Sequence, residues 1–157
     1  MKKSVLIISV LIIVVFSVMA IIYSNARKPY VSTEEKAREF VVTQLNYQST
    51  QDIYIYHGTE TILSVVGINE NGEKEVAWFS EDGQSVETRN WADGISKDEA
   101  KRMLLNEKPD AELLSVTLGM EKVGPIWELS YLDEDNHLNY YYIVWETGDW
   151  WRKIENL

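Results

Sequence analysis

The apolar residues of this chain follow three patterns in succession: a continuous run, then helical spacing, then short strand-like runs rich in β-branched and aromatic residues. The last two each occur twice. From Val5 to Ile22 the run reads VLIISVLIIVVFSVMAII, broken only by Ser9 and Ser17 and free of charge. A helix rises about 1.5 Å per residue and a bilayer core is about 30 Å thick, so about 20 such residues span it. Serine hydroxyls in a helix bond back to a carbonyl one turn earlier, so these two cost little. The pattern predicts a cytoplasmic tip (1–4), a transmembrane anchor (5–23) and a spacer (24–31) in which Pro29 stops the helix. Lys2 and Lys3 precede the run and Arg27 and Lys28 follow it, so the charge rule votes only weakly for an N-terminus inside. The alternative is a cleaved signal peptide, with small residues at Ser24-Asn25-Ala26. The apolar run exceeds the usual ~7–15 residues of a signal core, which favours the retained anchor.

Ser32 and Glu35 then fit a capping box, and Ala37, Phe40, Val41 and Leu45 fall on one helical face, predicting a helix that ends near Tyr47. Strand-like runs follow at Asp52–Tyr56, Thr61–Ile68, Glu75–Ser80 and Val86–Asn90, with turn signals at Asn69–Gly72 and Glu81–Gly83. After a linker at Trp91–Ile95 the pattern restarts. Ser96 and Glu99 form a second capping box, and Ala100, Met103 and Leu104 repeat the positions of Ala37, Phe40 and Val41 at an offset of 63 residues. Pro109 ends this helix. Strands are predicted at Glu112–Leu118, Ile126–Leu132, Leu138–Glu146 and Trp150–Ile154, with turns at Asp133–Asn136 and Thr147–Asp149. The fold class is therefore α+β: two tandem units, 32–91 and 95–157, each one helix packed on a four-stranded antiparallel sheet. Either unit alone is small for an independent core, so the two are expected to pack together.

Composition narrows the function. Four of the 15 basic residues flank the apolar run, leaving 11 against 25 acids in the remainder. Such a surface does not seek nucleic acid, whose phosphates need clustered Lys and Arg. There is no cysteine, which removes thiol chemistry and cysteine-based metal sites. No HExxH, GxSxG or phosphate-cradling glycine loop occurs. The only histidines, His57 and His137, sit beside turns. Asp133–Asn136 resembles the start of a calcium loop, but the sixth position is Leu138 rather than glycine and the twelfth is Val144 rather than glutamate. No catalytic residue, metal ligand, cofactor or small-molecule substrate is predicted.

Aromatic residues are the stronger signal. Trp127, Leu129 and Tyr131 alternate on one side of their strand. On the next strand Leu138, Tyr140, Tyr142 and Val144 line one face while Tyr141, Ile143 and Trp145 line the other. One face covers the helix, and the other covers the first unit, a partner, or nothing. Tyr140, Tyr142 and Trp150 are the candidate partner-binding residues, since Tyr and Trp anchor interfaces.

The closing stretch WELSYLDEDNHLNYYYIVWETGDWWRKI (Trp127–Ile154) resembles that of the TseB family, also called YpmB. So do the apolar run, the hairpin GINENGEKEVAWFSEDGQ (Gly67–Gln84) and the helix start GISKDEA (Gly94–Ala100). The resemblance implies tandem PepSY-like or cystatin-like units on a single-pass anchor in the cell membrane of a Gram-positive bacterium, with the C-terminal units extracytoplasmic. It further implies regulation of cell-wall elongation through contact with a penicillin-binding protein, without catalysis. The alternative it allows is a PepSY-type inhibitor or chaperone of exported proteases. The chain departs from the family in its aromatic content at Tyr140–Tyr142 and Trp150-Trp151.

Overall fold

The structure is a computed structural model that describes the backbone of residues 2–157 and the side chains of residues 11–28 and 30–157. Met1 and the side chains of residues 2–4 of the expected tip, and the side chains of residues 5–10 of the expected anchor, lie outside the described residues. The chain divides into two compact units, residues 1–36 and 37–157.

Helix α1 spans Lys2–Gln44. Its stretch from Leu11 is long and apolar enough to cross a membrane by length and composition, and the side chains of 11–28 are exposed. Ser17 Oγ donates to the carbonyl of Ile13 at 2.8 Å, the expected back-bond. The predicted spacer is not a break: residues 24–31 are helical, Pro29 included. A mid-helix proline forfeits one backbone bond at about 3 kcal/mol, and long helices on both sides tolerate that. The capping box at Ser32 accordingly has no orphan amide to serve, because a preceding helical turn already supplies its carbonyls. The helix also ends earlier than the pattern suggests. Asn46 adopts φ 56°, and Tyr47 N–H donates to Val41 O at 3.0 Å, which is a left-handed stop of the Schellman kind.

In the second unit, strands β1 (Ser49–His57), β2 (Thr61–Ile68), β3 (Lys74–Ser80) and β4 (Val86–Asn90) form one antiparallel meander. A short 3-10 turn at Trp91–Asp93 leads into helix α2 (Lys97–Glu107). The meander then recurs as β5 (Glu112–Glu121), β6 (Gly124–Leu132), β7 (Leu138–Val144) and β8 (Trp150–Ile154). The Ser96 capping box is present in full: its hydroxyl accepts from Glu99 N–H, and the Glu99 carboxylate accepts from Ser96 N–H.

The repeat extends to detail. Ala37 and Val41 are fully buried, and so are their counterparts Ala100 and Leu104. The first strand of each meander carries a bulge, between Thr50 and Asp52 in β1 and between Leu113 and Ser115 in β5. Asn69 Oδ1 accepts from Asn71 and Glu73 amides, and Asp133 Oδ1 accepts from Asp135 and His137 amides. Both hairpins are thus closed by the same side-chain turn.

Each sheet turns one face to its helix. Leu63, Val65, Ala77 and Phe79 of the first meet Ala37 and Val41 of α1. Trp127, Leu129, Tyr141 and Ile143 of the second meet Ala100 and Leu104 of α2. The other face of the first sheet, with Tyr54, Val66, Val76 and Trp78, joins the core of the second meander. Trp78 meets Trp145 edge to face at 5.3 Å, Tyr54 meets Trp127 at 5.5 Å, and Ser64 Oγ donates to Leu118 O at 2.8 Å. The two meanders therefore share one core.

Candidate functional site

The repeat identifies which surface has no counterpart cover. At an offset of 64 residues, Val76 and Trp78 of β3 correspond to Tyr140 and Tyr142 of β7. Val76 and Trp78 are covered by the second meander. Among the described residues, no third meander covers Tyr140 and Tyr142. What stands there is a set of aromatic rings on the face away from α2.

Tyr140 and Tyr142 lie near parallel, with centroids 6.4 Å apart and 17° between planes. Trp151 meets Tyr142 edge-on at 6.0 Å. Arg152 holds its guanidinium 5.9 Å above the Tyr142 ring, a cation–π distance. Tyr56 reaches this face from the end of β1 and joins Ile126 and Tyr142 in a small apolar cluster. It crosses over Gly119 to do so, and its hydroxyl donates to Glu121 at 2.7 Å.

One carboxyl belongs to the same face. Glu128 lies directly across from Tyr142 in the β6–β7 ladder and accepts a hydrogen bond from its hydroxyl. Burial holds the Glu128 carboxyl above its ordinary pKa, while the Tyr142 hydrogen bond pulls the other way. Repulsion from Glu121 adds to the rise and the nearby His57 opposes it. The tyrosine hydroxyls are shifted up too. Burial is the main cause for both Tyr56 and Tyr142, and the carboxylates they bond add to it.

The structure treats the three sequence-predicted residues differently. Tyr140 is half-buried and reachable. Tyr142 is only 7% exposed, enclosed by Tyr56, Tyr140, Trp151 and Arg152. Trp150 is separated from both. It pairs with Ile143 on the α2 side of the sheet, is 61% exposed, and lies beneath Lys153 at 5.2 Å. A register shift between Tyr142 and Ile143 brings Trp151, not Trp150, to the tyrosines. Glu128, Tyr56 and Arg152 had no sequence signal beyond their positions on strands, because their meeting depends on how β1 crosses β5.

Other candidates are absorbed locally. His57 faces Thr61 across its turn, at 3.3 Å from Nδ1 to Oγ1, and His137 Nδ1 is 3.6 Å from Asp133. Asp133, the first residue of the calcium-like loop, spends both oxygens on its own turn and on Asn139. Among the described residues, no group of three or more His, Asp or Glu side chains is placed to hold a metal ion.

These features define a class: an α+β protein of two helix-backed meanders with one core, an aromatic outer face, and an N-terminal helix long and apolar enough for a membrane. Residues 36–80 match the family model described as the cell wall elongation regulator TseB-like domain. The probable cell wall elongation regulator TseB of Bacillus subtilis (strain 168) is 22% identical over 153 residues, covering 94% of this chain and 95% of that protein. The solved structure of the YpmB protein from Bacillus subtilis shares the fold, with a TM-score of 0.67 at 22% identity, covering 77% of this chain and 95% of that one. The chain is similar to the TseB (YpmB) family, and all three comparisons bear that resemblance out.

Proposed function

We propose that this protein is a membrane-anchored, extracytoplasmic regulator of cell-wall elongation that works by touching a penicillin-binding protein rather than by catalysis. The observation that carries this reading is the likeness to the probable elongation regulator TseB along almost the whole chain. The apolar helix supports the anchor, with Lys2 and Lys3 on the cytoplasmic side and the meanders outside. An anchor confines both proteins to one membrane, so a weak contact becomes effective through local concentration. The contact surface in this reading is the outer aromatic face, where Tyr140, Trp151 and Arg152 are within reach and Tyr142 with Glu128 supports them from below. Trp150 belongs to a separate side and is not part of it.

The test is co-purification from membranes of cells expressing the full chain. Wild type is expected to bring down a penicillin-binding protein, and a Tyr140→Ala/Trp151→Ala variant is expected to lose it. Deletion of the protein is expected to alter cell length or β-lactam sensitivity. A wild-type chain that recovers no wall-synthesis protein, with normal cell length on deletion, contradicts the reading.

A further inference from the structure

Between β4, the outer strand of the first sheet, and the end of β5 lies a cleft of about 190 Å³. Ile62, Trp78, Val86 and Met120 give it apolar walls, and Ser85 and Glu87 complete the lining. An apolar cavity of about 150 Å³ takes one benzene molecule, so this one holds a ring and a small polar group.

Trp78 gives the cleft its chemistry. The side chain is 1% exposed, and its Nε1 is buried with no protein partner among the described residues. An indole nitrogen is a donor only. A buried donor left unpaired costs free energy that an incoming acceptor recovers. Neither ladder neighbour of Trp78 supplies that acceptor. Ser64, across from it on β2, donates its own hydroxyl to Leu118 O at 2.8 Å. Glu87, across from it on β4, pairs its carboxylate with Arg89. Trp127 shows the ordinary arrangement, with Nε1 donating to Ile95 O at 2.9 Å. Trp145 Nε1 is likewise unpartnered, but Gly94 closes on its ring, where a Cβ would stand 2.2 Å away.

We infer that this cleft binds a small neutral carboxamide on an apolar body. The amide oxygen accepts from Trp78 Nε1, the apolar body fills the space between Ile62, Val86 and Met120, and the amide N–H groups face Glu87. Charge selects among the alternatives. A carboxylate offers the indole an acceptor but meets Glu87, a like charge in the same wall. An ammonium or guanidinium offers the indole no acceptor, and Arg89 already holds the Glu87 carboxylate. A neutral amide suits both walls. The volume takes such a molecule whole, so the occupant is a free aryl or alkyl amide. The inference is independent of the wall-elongation reading, because it rests on the cleft and its indole.

The test is a magnetic-resonance titration of the full chain, isotope-labelled at its indole nitrogens, in a zwitterionic detergent with benzamide. The Trp78 Nε1–H resonance, assigned through its own backbone, is expected to move downfield and saturate. That of Trp150, which is 61% exposed, is expected to stay. Benzoate has the same shape and is expected to bind about tenfold more weakly. Glu87→Gln removes the like charge and is expected to bring benzoate up to benzamide. A Trp78 resonance that ignores benzamide, or moves no more than that of Trp150, overturns the inference. So does a wild type that binds benzoate as well as benzamide, or a Glu87→Gln variant in which benzoate stays weak. An acetyl-Ala-Gln-Ala-amide peptide that moves Trp78 at lower concentration than benzamide would also overturn it, by making the β4 edge a docking strand for a partner.

Discussion

Tyr56 lies directly over Gly119: a Cβ on that glycine would stand 2.3 Å from Tyr56 Cγ. The two residues belong to different meanders. Tyr54, two positions earlier, meets Trp127 on the opposite side of β5. The alternating tyrosines of β1 thus grip the edge strand of the second sheet from both sides, and Gly119 is the position that lets the second one pass.

Gly119→Val is therefore expected to expel the Tyr56 ring and break its bond to Glu121. Overpacking of this kind costs about 1–3 kcal/mol. Urea unfolding of the detergent-solubilised full chain would show it as a lower midpoint. A midpoint equal to wild type would mean the ring is not held there.

Glu128 gives a pH dependence with a defined sign. Its folded pKa is raised above the ordinary 4.5, chiefly by burial. The folded state therefore holds this proton more tightly than the unfolded chain does. The stabilisation from it is complete below 4.5 and is lost as pH rises through the raised folded value. Glu128→Gln keeps an acceptor for Tyr142 and cannot ionise. At neutral pH it is expected to melt higher than wild type, and at pH 4 the two should converge. A variant that melts lower at neutral pH would show that the carboxylate is favoured there.

The buried tryptophans are expected to differ in what their indole nitrogens contribute. Trp127 Nε1 donates to Ile95 O at 2.9 Å, while Trp145 Nε1 is buried with no protein partner among the described residues. Both rings are fully buried. Trp127→Phe leaves a carbonyl without its donor, whereas Trp145→Phe removes an unpaired one. The first should cost more by about 1 kcal/mol in denaturant unfolding. Equal costs would assign the whole effect to ring volume.

Ser96→Ala removes the hydroxyl that caps α2 and half of its reciprocal bond with Glu99. A loss of about 1 kcal/mol is expected. Ser32→Ala, within the continuous helix α1, is expected to change stability by far less. A similar loss at Ser32 would mean that a helix start does exist there.

These contrasts mark where the sequence was informative. Local chemistry was legible: the Ser96 box, the alternation of Trp127, Leu129 and Tyr131, and the 63-residue echo of Ala37 and Val41 in Ala100 and Leu104. Shared burial of the two meanders followed from their size. What failed was competition between local signals and their surroundings. Pro29 and Ser32 read as stop and start, yet the helix runs through both, because neither outweighs the helix on either side. Trp150 and Trp151 could not be told apart, because the bulge beside Tyr142 resets which of them shares its face.

The outer aromatic face is the proposed contact with a wall-synthesis partner. The most direct measurement places a photo-crosslinking amino acid at Tyr140 or Trp151 of the full chain in living cells, with Glu70 on the first hairpin as the control position. Adducts with a penicillin-binding protein are expected from Tyr140 and Trp151 and not from Glu70. Adducts from Glu70 alone, or from none of the three, would contradict it.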